Sequence, residues 1–192
     1  MRELRKDQQI DLNALNPDLD TLIVGLGWKI NSVDQDFDLD TSAFMLTNTN
    51  EIRNRDDFVY YNNLIDPSGA LEHSGDSITG SNSGDAEQIK INIFKIPPEI
   101  GHITFVVTIH DADIRNQTFG QVENAYIRLV EPKSDTELLR YNLGNEFSEA
   151  RSIVLGDLFR KDNHWSFDAV GVPFSGGLDA ISQDFNLRVN KE

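Results

Sequence analysis

QIKINIF, the segment Gln88–Phe94, alternates apolar and polar residues along almost its whole length. In an extended chain the isoleucines at 89, 91 and 93 would share one face, and the polar residues between them would share the other. This period of two is typical of an antiparallel strand that is buried on one face only. The segment therefore predicts a sheet with one covered face.

Eight further segments are short, rich in apolar or β-branched residues and bounded by turn residues, which is the pattern of β-strands. They are Thr21–Trp28, Asp38–Leu46, Phe58–Tyr61, Ile103–Ile109, Asn124–Val130, Glu137–Tyr141, Ile153–Arg160 and His164–Val170. Turn residues at 131–136 and at 161–163 join two pairs of them into hairpins. Only 113–122 and 177–185 have a pattern that could hold a short helix. We therefore predict an all-β fold, a sandwich or barrel that forms one domain over residues 1–192.

The composition restricts the kind of protein that this chain can be. Its 192 residues match one ordinary domain, and 39% hydrophobic residues are enough for a buried core. The chain has no cysteine, which excludes a disulfide scaffold, a thiolate metal site and cysteine catalysis. The basic residues near Met1 are not followed by the apolar stretch of a signal peptide, and no apolar run is long enough to span a membrane. We therefore predict a cytoplasmic location.

The net charge of −15 is the strongest global feature of the sequence. It argues against binding to nucleic acid and, in the absence of a metal, against binding to anionic membrane surfaces. Residues 31–90 contain 12 acidic and 3 basic side chains, so less than a third of the chain carries a net charge of −9. A solvated acidic face that serves only solubility would explain this excess as well as a metal site would.

The arrangement of the acidic residues indicates a metal site. Four aspartates alternate with other residues between positions 34 and 40, so an extended chain would project all four from one face. A divalent cation would turn the repulsion between these carboxylates into attraction. Further oxygen donors follow at Asn62, Asn63, Asp76, Asp85 and Glu87. A set of oxygen ligands suits Ca²⁺, suits Mg²⁺ less well and does not suit zinc or copper, and the spacing is not that of an EF-hand.

The same segments resemble the TerD family of tellurium-resistance and stress proteins. The resemblance rests on GLGW at 25–28, FDLDTSAFML at 37–46, DFVYYNNL at 57–64, HSGDSITG at 73–80, GDAEQIKI at 84–91, VVTIHDA at 106–112 and FGQVENAYIRLV at 119–130. These segments follow one another in the family's order, and the resemblance extends from about residue 9 to residue 187. Lys29 stands where the family usually has aspartate, and residues 1–8 diverge, so we expect those eight residues to be loosely ordered.

The resemblance implies a β-sandwich of two mainly antiparallel sheets with one or two short helices, which binds two Ca²⁺ ions. It also implies a place in bacterial systems that resist tellurite, phage and colicins. On this basis the predicted metal ligands are Asp38, Asp40, Asn62, Asn63, Asp76, Asp85 and Glu87, with Asp111 as a weaker candidate. Other proteins of the same resistance system are the expected partners, and peripheral contact with a membrane and the oligomeric state stay open.

Two other functions are compatible with the sequence: a calcium-dependent enzyme that uses the ion as a Lewis acid, and a purely structural acidic interaction domain. The Gly-x-Ser-x-Gly motif of hydrolases is absent, and a histidine next to an aspartate, as at His110-Asp111, is common by chance. The glycines at 25 and 27 predict a kinked strand rather than a phosphate-binding loop, since no helix pattern follows them. We therefore predict a calcium-binding protein that acts as a binding or scaffold module and has no catalytic residues.

Overall fold

The computed structural model describes residues 1–30, 37–75, 84–161 and 164–185. Within these ranges the chain forms thirteen β-strands and three short α-helices. In chain order they are β1 (Arg2–Leu4), β2 (Gln9–Asp11), α1 (Leu12–Leu15), β3 (Thr21–Ile30), β4 (Leu39–Thr47), β5 (Phe58–Val59), β6 (Leu71–His73), β7 (Glu87–Asn92), β8 (Ile100–Ile109), α2 (Ala112–Arg115), β9 (Val122–Glu131), β10 (Thr136–Asn142), β11 (Ser152–Lys161), β12 (His164–Asp168), β13 (Val172–Phe174) and α3 (Leu178–Asp184).

The strands form two sheets. Sheet A has the order β1-β10-β9-β3-β7-β6, and sheet B has the order β2-β12-β11-β8-β4-β5, with β13 paired to β11. Every pairing between these strands is antiparallel except that of β1 with β10. The predicted all-β fold with two mainly antiparallel sheets is therefore confirmed.

The main core lies between the two sheets and contains the inward side chains of both. In β7 the side chains of Ile89 and Ile91 are fully buried, whereas Lys90 between them is exposed, as the period of two predicts. The strand ends at Asn92, because Asn92 pairs with Thr21, the first residue of its partner β3. The chain then turns through a 3-10 helix, Ile93–Lys95, so Ile93 is not part of the strand.

Sheet B is covered on both faces. Its outer face carries a second apolar cluster, which includes Phe44 and Leu46 of β4, Phe58 of β5 and Ile181 of α3. The rings of Phe44 and Phe58 stack with their centroids 4.4 Å apart. Because α3 lies over this face, β4 is apolar on both sides and does not alternate, which is typical of a strand in the interior of a fold.

The helices and the two hairpins lie where the sequence predicts them, but the helices are shorter than the predicted helical segments. The predicted C-terminal helix is α3, and the segment 113–122 contains the end of α2 and a 3-10 helix, Phe119–Gln121. The antiparallel pairs β9–β10 and β11–β12 confirm that both hairpin pairs exist, although residues 162–163 of the second turn lie outside the described residues. None of the described helices has the length and apolar character needed to cross a membrane.

The first eight residues, which we expected to be loosely ordered, include the whole of β1. This strand pairs in parallel with β10 at the edge of sheet A, and its residue Leu4 is buried in the main core. A three-residue strand is too short to show a period of two, so the sequence pattern does not predict it.

Candidate functional site

Three of the predicted ligands meet where β4 begins and β8 ends. The pairing of β4 with β8 continues past the strand end, since the backbone N–H of His110 donates a hydrogen bond of 2.8 Å to the carbonyl of Asp38. The Nδ1 atom of His110 lies 3.4 Å from Asp40 Oδ2, and its Nε2 atom lies 3.6 Å from Asp111 Oδ2. The structure therefore places the carboxylates of Asp40 and Asp111 on either side of one imidazole, and it pairs the backbone of Asp38 with that of the same histidine.

These three aspartates differ in exposure and in local conformation. Asp40 is buried within β4, with 9% of its surface exposed, whereas the side chain of Asp111 is about half exposed. Asp111 adopts a left-handed conformation with φ of 52° immediately before α2. Aspartate tolerates this conformation better than most residues, and the turn directs the chain away from the sheet at the position where the side chain meets His110.

Glu87 approaches the same region from sheet A. Only 1% of its surface is exposed, and its Oε2 atom accepts a hydrogen bond of 2.7 Å from the backbone N–H of Thr41, the residue after Asp40. The Nε2 atom of His73 lies 3.7 Å from the same carboxylate oxygen and 3.1 Å from the carbonyl of Thr41. The start of β7 and the end of β6 are thus attached to β4 through polar contacts inside the sandwich.

The hydrogen bonds of His73 identify its tautomer. Its Nδ1 atom accepts a hydrogen bond of 3.0 Å from the backbone N–H of Gly75, so this nitrogen carries no proton. Its Nε2 atom faces a carbonyl, which can only accept, so this nitrogen carries the proton. The pattern is that of a neutral imidazole that links β6 to β4 beside Glu87. Neither His73 nor His110 was among the predicted site residues, because the adjacency of His110 and Asp111 was attributed to chance and no local pattern links His73 to an acidic residue.

Asp85 lies on the other face of sheet A from Glu87. Its side chain is fully buried against Arg128, whose Nε and Nη2 atoms donate hydrogen bonds of 2.7 and 3.0 Å to the two carboxylate oxygens. Tyr126 and Gln88 donate further hydrogen bonds of 3.1 and 3.0 Å. Both oxygens of Asp85 are therefore used within the protein, and its role as a calcium ligand stays a prediction.

The residues around Asp85 form an outer charged network on sheet A. Arg128 also donates to Glu137 at 3.0 Å, and Arg140 binds Glu137 through hydrogen bonds of 2.7 and 2.9 Å. The hydrogen bonds to Asp85 raise the pKa of Arg128 further above its usual value. Burial and the nearby charge of Asp85 raise the pKa of Tyr126, so this hydroxyl stays protonated. We call this set the Asp85 network.

Two glycines of β3 make room for this network. A Cβ atom on Gly25 would overlap the carboxylate of Asp85, and a Cβ atom on Gly27 would overlap the ring of Tyr126. The ladder between β3 and β9 also shifts register between Gly27 and Lys29, which marks a β-bulge. The glycines that predicted a kinked strand are thus required for close approach of side chains to the outer face of sheet A.

The two asparagines lie in a turn after β5. The backbones of Tyr60 and Asn63 are paired across this turn. The amide nitrogen of Asn63 donates hydrogen bonds of 2.7 Å to the carbonyl of Phe58 and 3.2 Å to that of Asp56, whereas Asn62 is exposed. The next residue, Leu64, accepts a hydrogen bond of 2.8 Å from the backbone N–H of His73, which places the turn beside β6.

The predicted ligands therefore form a partial constellation. Asp38, Asp40, Asp111 and Glu87 lie near one end of the sandwich, with Asp40 and Glu87 on opposite faces of β4. Asp85 is directed away from them, and Asp76 lies outside the described residues. In the part of the chain that the structure describes, no three side chains from His, Cys, Asp or Glu are grouped so as to hold a metal ion. The predicted ligand set thus stays a prediction.

Comparisons with known proteins place the chain in a family. The model of the TerD domain matches residues 1–185. General stress protein 16U of Bacillus subtilis (strain 168) is 44% identical over 188 residues, which cover 97% of each chain. Tellurium resistance protein TerD of Serratia marcescens is 42% identical over 188 residues, which cover 97% of this chain and 98% of that protein.

A solved structure shows the same fold. The crystal structure of a homologue of telluride resistance protein (TerD) from Streptomyces coelicolor A3(2) superposes with a TM-score of 0.70 at 22% sequence identity. The superposition covers 85% of this chain and 95% of that chain. The match of the family model over nearly the whole chain, together with relatives above 40% identity, shows that the chain belongs to the TerD family, which includes tellurium-resistance and general stress proteins.

Proposed function

We propose that this chain binds Ca²⁺ at the end of the sandwich where β4 meets β7 and β8, and that it acts as a non-catalytic binding or scaffold module. The observation that carries the proposal is the grouping of Asp40 and Asp111 on either side of His110, where β4 begins and β8 ends. The backbone of Asp38 pairs with that of the same histidine. Glu87 is buried on the opposite face of β4, where it accepts a hydrogen bond from the backbone N–H of Thr41.

The chemistry of these groups favours calcium. Carboxylates that proteins bury are hydrogen-bonded, paired with a cation or bound to a metal, because an isolated buried charge is costly. All side-chain donors that we assign are oxygens, and the chain has no cysteine to bind a softer metal. Ca²⁺ accepts six to eight oxygens in variable geometry, so carboxylates, amide oxygens and backbone carbonyls from several strands can share one ion.

The proposed ligands are Asp38, Asp40, Glu87 and Asp111, to which Asn62 and Asp76 would add donors. The family resemblance implies two ions rather than one. We propose further that the chain works in the cytoplasm with other proteins of a bacterial tellurite and stress resistance system. The names of the relatives support this setting, since they describe a general stress protein and tellurium resistance proteins.

Thermal unfolding tests the proposal. A ligand that binds only the folded state adds about 2.7 kcal/mol at a hundredfold excess over its dissociation constant. Each kcal/mol shifts the melting temperature of a domain of this size by about 2–4 °C. One Ca²⁺ ion at that excess should therefore raise the melting temperature by about 5–11 °C relative to a chelator, and equimolar Mg²⁺ should raise it less. Coincident curves with calcium and with chelator would refute calcium binding.

A pair of matched variants locates the site. Asp40→Asn removes one buried carboxylate and should greatly reduce the calcium-dependent shift. Asp135→Asn makes the same change in the exposed turn between β9 and β10, where asparagine tolerates the observed φ of 52°, and should leave the shift intact. If both variants behaved alike, the acidic residues would be a solvated face rather than a site.

A further inference from the structure

A polar cavity lies at the end of β3, which is the end where Leu26 pairs with Glu87 of β7. Its volume is about 890 Å³, within the range of about 300–1,000 Å³ that is typical of small-molecule sites. The described residues of its wall come from β3, β9, β10, the two segments at 119–120 and 143–148, and Gly84, which precedes Asp85. None of the predicted metal ligands is among them.

A β-bulge shapes the wall of this cavity. Gly27 pairs with Tyr126 and Lys29 pairs with Glu123, so two residues of β9 oppose the single residue Trp28 of β3. The extra residue is Asn124, which adopts a left-handed conformation with φ of 53°. Bulges of this kind redirect side chains and are frequent next to functional sites, and here the bulged residues line the cavity.

The cavity is rich in hydrogen-bond donors. Lys29 and Arg140 can only donate, whereas Glu123 is the only lining side chain of the described residues that can only accept. Arg140 is paired with Glu137, so Lys29 is the cation of the described wall that no described ion pair uses. A donor-rich wall is complementary to a ligand that is rich in acceptors.

Trp28 forms part of the cavity wall, and only 3% of its surface is exposed. Its Nε1–H group is buried and has no hydrogen-bond partner among the described residues. Because this atom has almost no accessible surface, it lies behind the wall and would not contact a ligand in the cavity.

Arg140 is already held in position. Two hydrogen bonds of 2.7 and 2.9 Å join it to Glu137, and its guanidinium lies 3.9 Å from the centre of the Tyr126 ring. A side chain that is ordered before the ligand arrives loses little further conformational entropy on binding. Lys29, in contrast, is exposed at the cavity and can move to meet a ligand.

We propose that this cavity binds a small organic anion, a molecule that carries a carboxylate or a phosphate ester on a polar body. Lys29 and Arg140 bind the charged group, and Asn124 and Asn145 bind the polar body. This site has no described residue in common with the proposed calcium site, although both lie at the end of sheet A where Leu26 pairs with Glu87.

Titration calorimetry in calcium-containing buffer tests the proposal with three matched probes: glucose 6-phosphate, gluconate and neutral glucose. At least one of the two anions should bind saturably, and glucose should bind at least tenfold more weakly or not at all. Which anion binds more tightly distinguishes a phosphate from a carboxylate ligand. No saturable heat with either anion, or equal binding of glucose, would overturn the proposal.

Two charge reversals on sheet A then locate the binding site. Lys29→Glu should raise the dissociation constant of the anion at least tenfold. Lys90→Glu makes the same change in net charge on the exposed side of β7, outside the cavity wall, and should change the constant less than twofold. Equal weakening by the two variants would mean that the anion senses only the net charge of the protein, which would also overturn the proposal.

Discussion

Gly25→Ala should destabilise the protein far more than the loss of one glycine would suggest. An added Cβ atom would occupy the position of the Asp85 carboxylate, so the fully buried acid would have to move away from Arg128. Overpacking alone typically costs about 1–3 kcal/mol, and breaking a buried ion pair costs about 3–5 kcal/mol. The two costs describe the same displacement, so they do not add. Because a quarter of the Arg128 side chain is exposed, we expect Gly25→Ala to lower the free energy of unfolding by about 2–4 kcal/mol.

This loss of stability is measurable by calorimetry in the presence of a chelator, which removes any contribution from metal. With about 2–4 °C per kcal/mol, the melting temperature should fall by about 4–16 °C. Gly177→Ala is the matched control, because an added Cβ atom there meets no other atom within 4 Å. Gly177 is the N-cap of α3, where glycine is preferred over alanine, so we expect the control to cost up to about 1 kcal/mol, still less than Gly25→Ala.

A double-mutant cycle isolates the cause. In the Asp85→Ala background the carboxylate is absent, so Gly25→Ala should cost less than about 1 kcal/mol there. If Gly25→Ala cost the same in both backgrounds, the reasoning would be refuted, because the glycine would then be needed for some feature other than the space that Asp85 fills.

Three further predictions concern other parts of the fold. Phe44→Ala should lower the free energy of unfolding, measured by urea titration, by about 3–5 kcal/mol, because this ring is fully buried on the outer face of sheet B. Phe94→Ala, at an exposed position, should change it little in the same assay. The hydrogen bond of 2.7 Å to Asp157 holds the pKa of His102 above its usual 6.5. This contact therefore stabilises the folded state fully below pH 6.5. Its contribution disappears as the pH rises through the folded-state pKa of His102. His102→Gln should therefore cost more stability at pH 5.5 than at pH 8.5, and an equal cost at both values would exclude this explanation. Asn124→Val should destabilise more than Asn124→Gly, because a β-branched residue is strained at φ of 53° and glycine is not; circular dichroism melts of the two variants would show the order.

The strands with a clear period were predictable from the sequence, whereas four strands of three residues were not. The isoleucines of β7 and the turn at 131–136 specify their elements locally, so both were correctly predicted. Strands β1, β2, β6 and β13 have three residues each, too few to show a period. These strands form because the longer strands offer them free edges, which is information that the local sequence does not contain.

The candidate site was predictable in composition but not in arrangement. Asp85 and Glu87 stand two residues apart, which in a regular strand would put them on one face. Asp85 precedes β7, however, so the rule does not apply to it, and its carboxylate turns to Arg128 on the outer face while Glu87 points inward. The contacts of His73 and His110 with the acidic residues join distant parts of the chain, so no local pattern could have revealed them.

The first strands of the chain have a consequence for its synthesis. Strand β1 completes an edge of sheet A beside β10, and β2 completes an edge of sheet B beside β12. On the ribosome, residues 2–11 emerge long before residues 136–168 are made, so these two pairings form only after most of the domain has been translated. Until then the nascent chain keeps unpaired strand edges, which attract other chains. Anything fused before β1 that delays its docking would therefore be expected to increase aggregation during translation, even where the finished protein is stable.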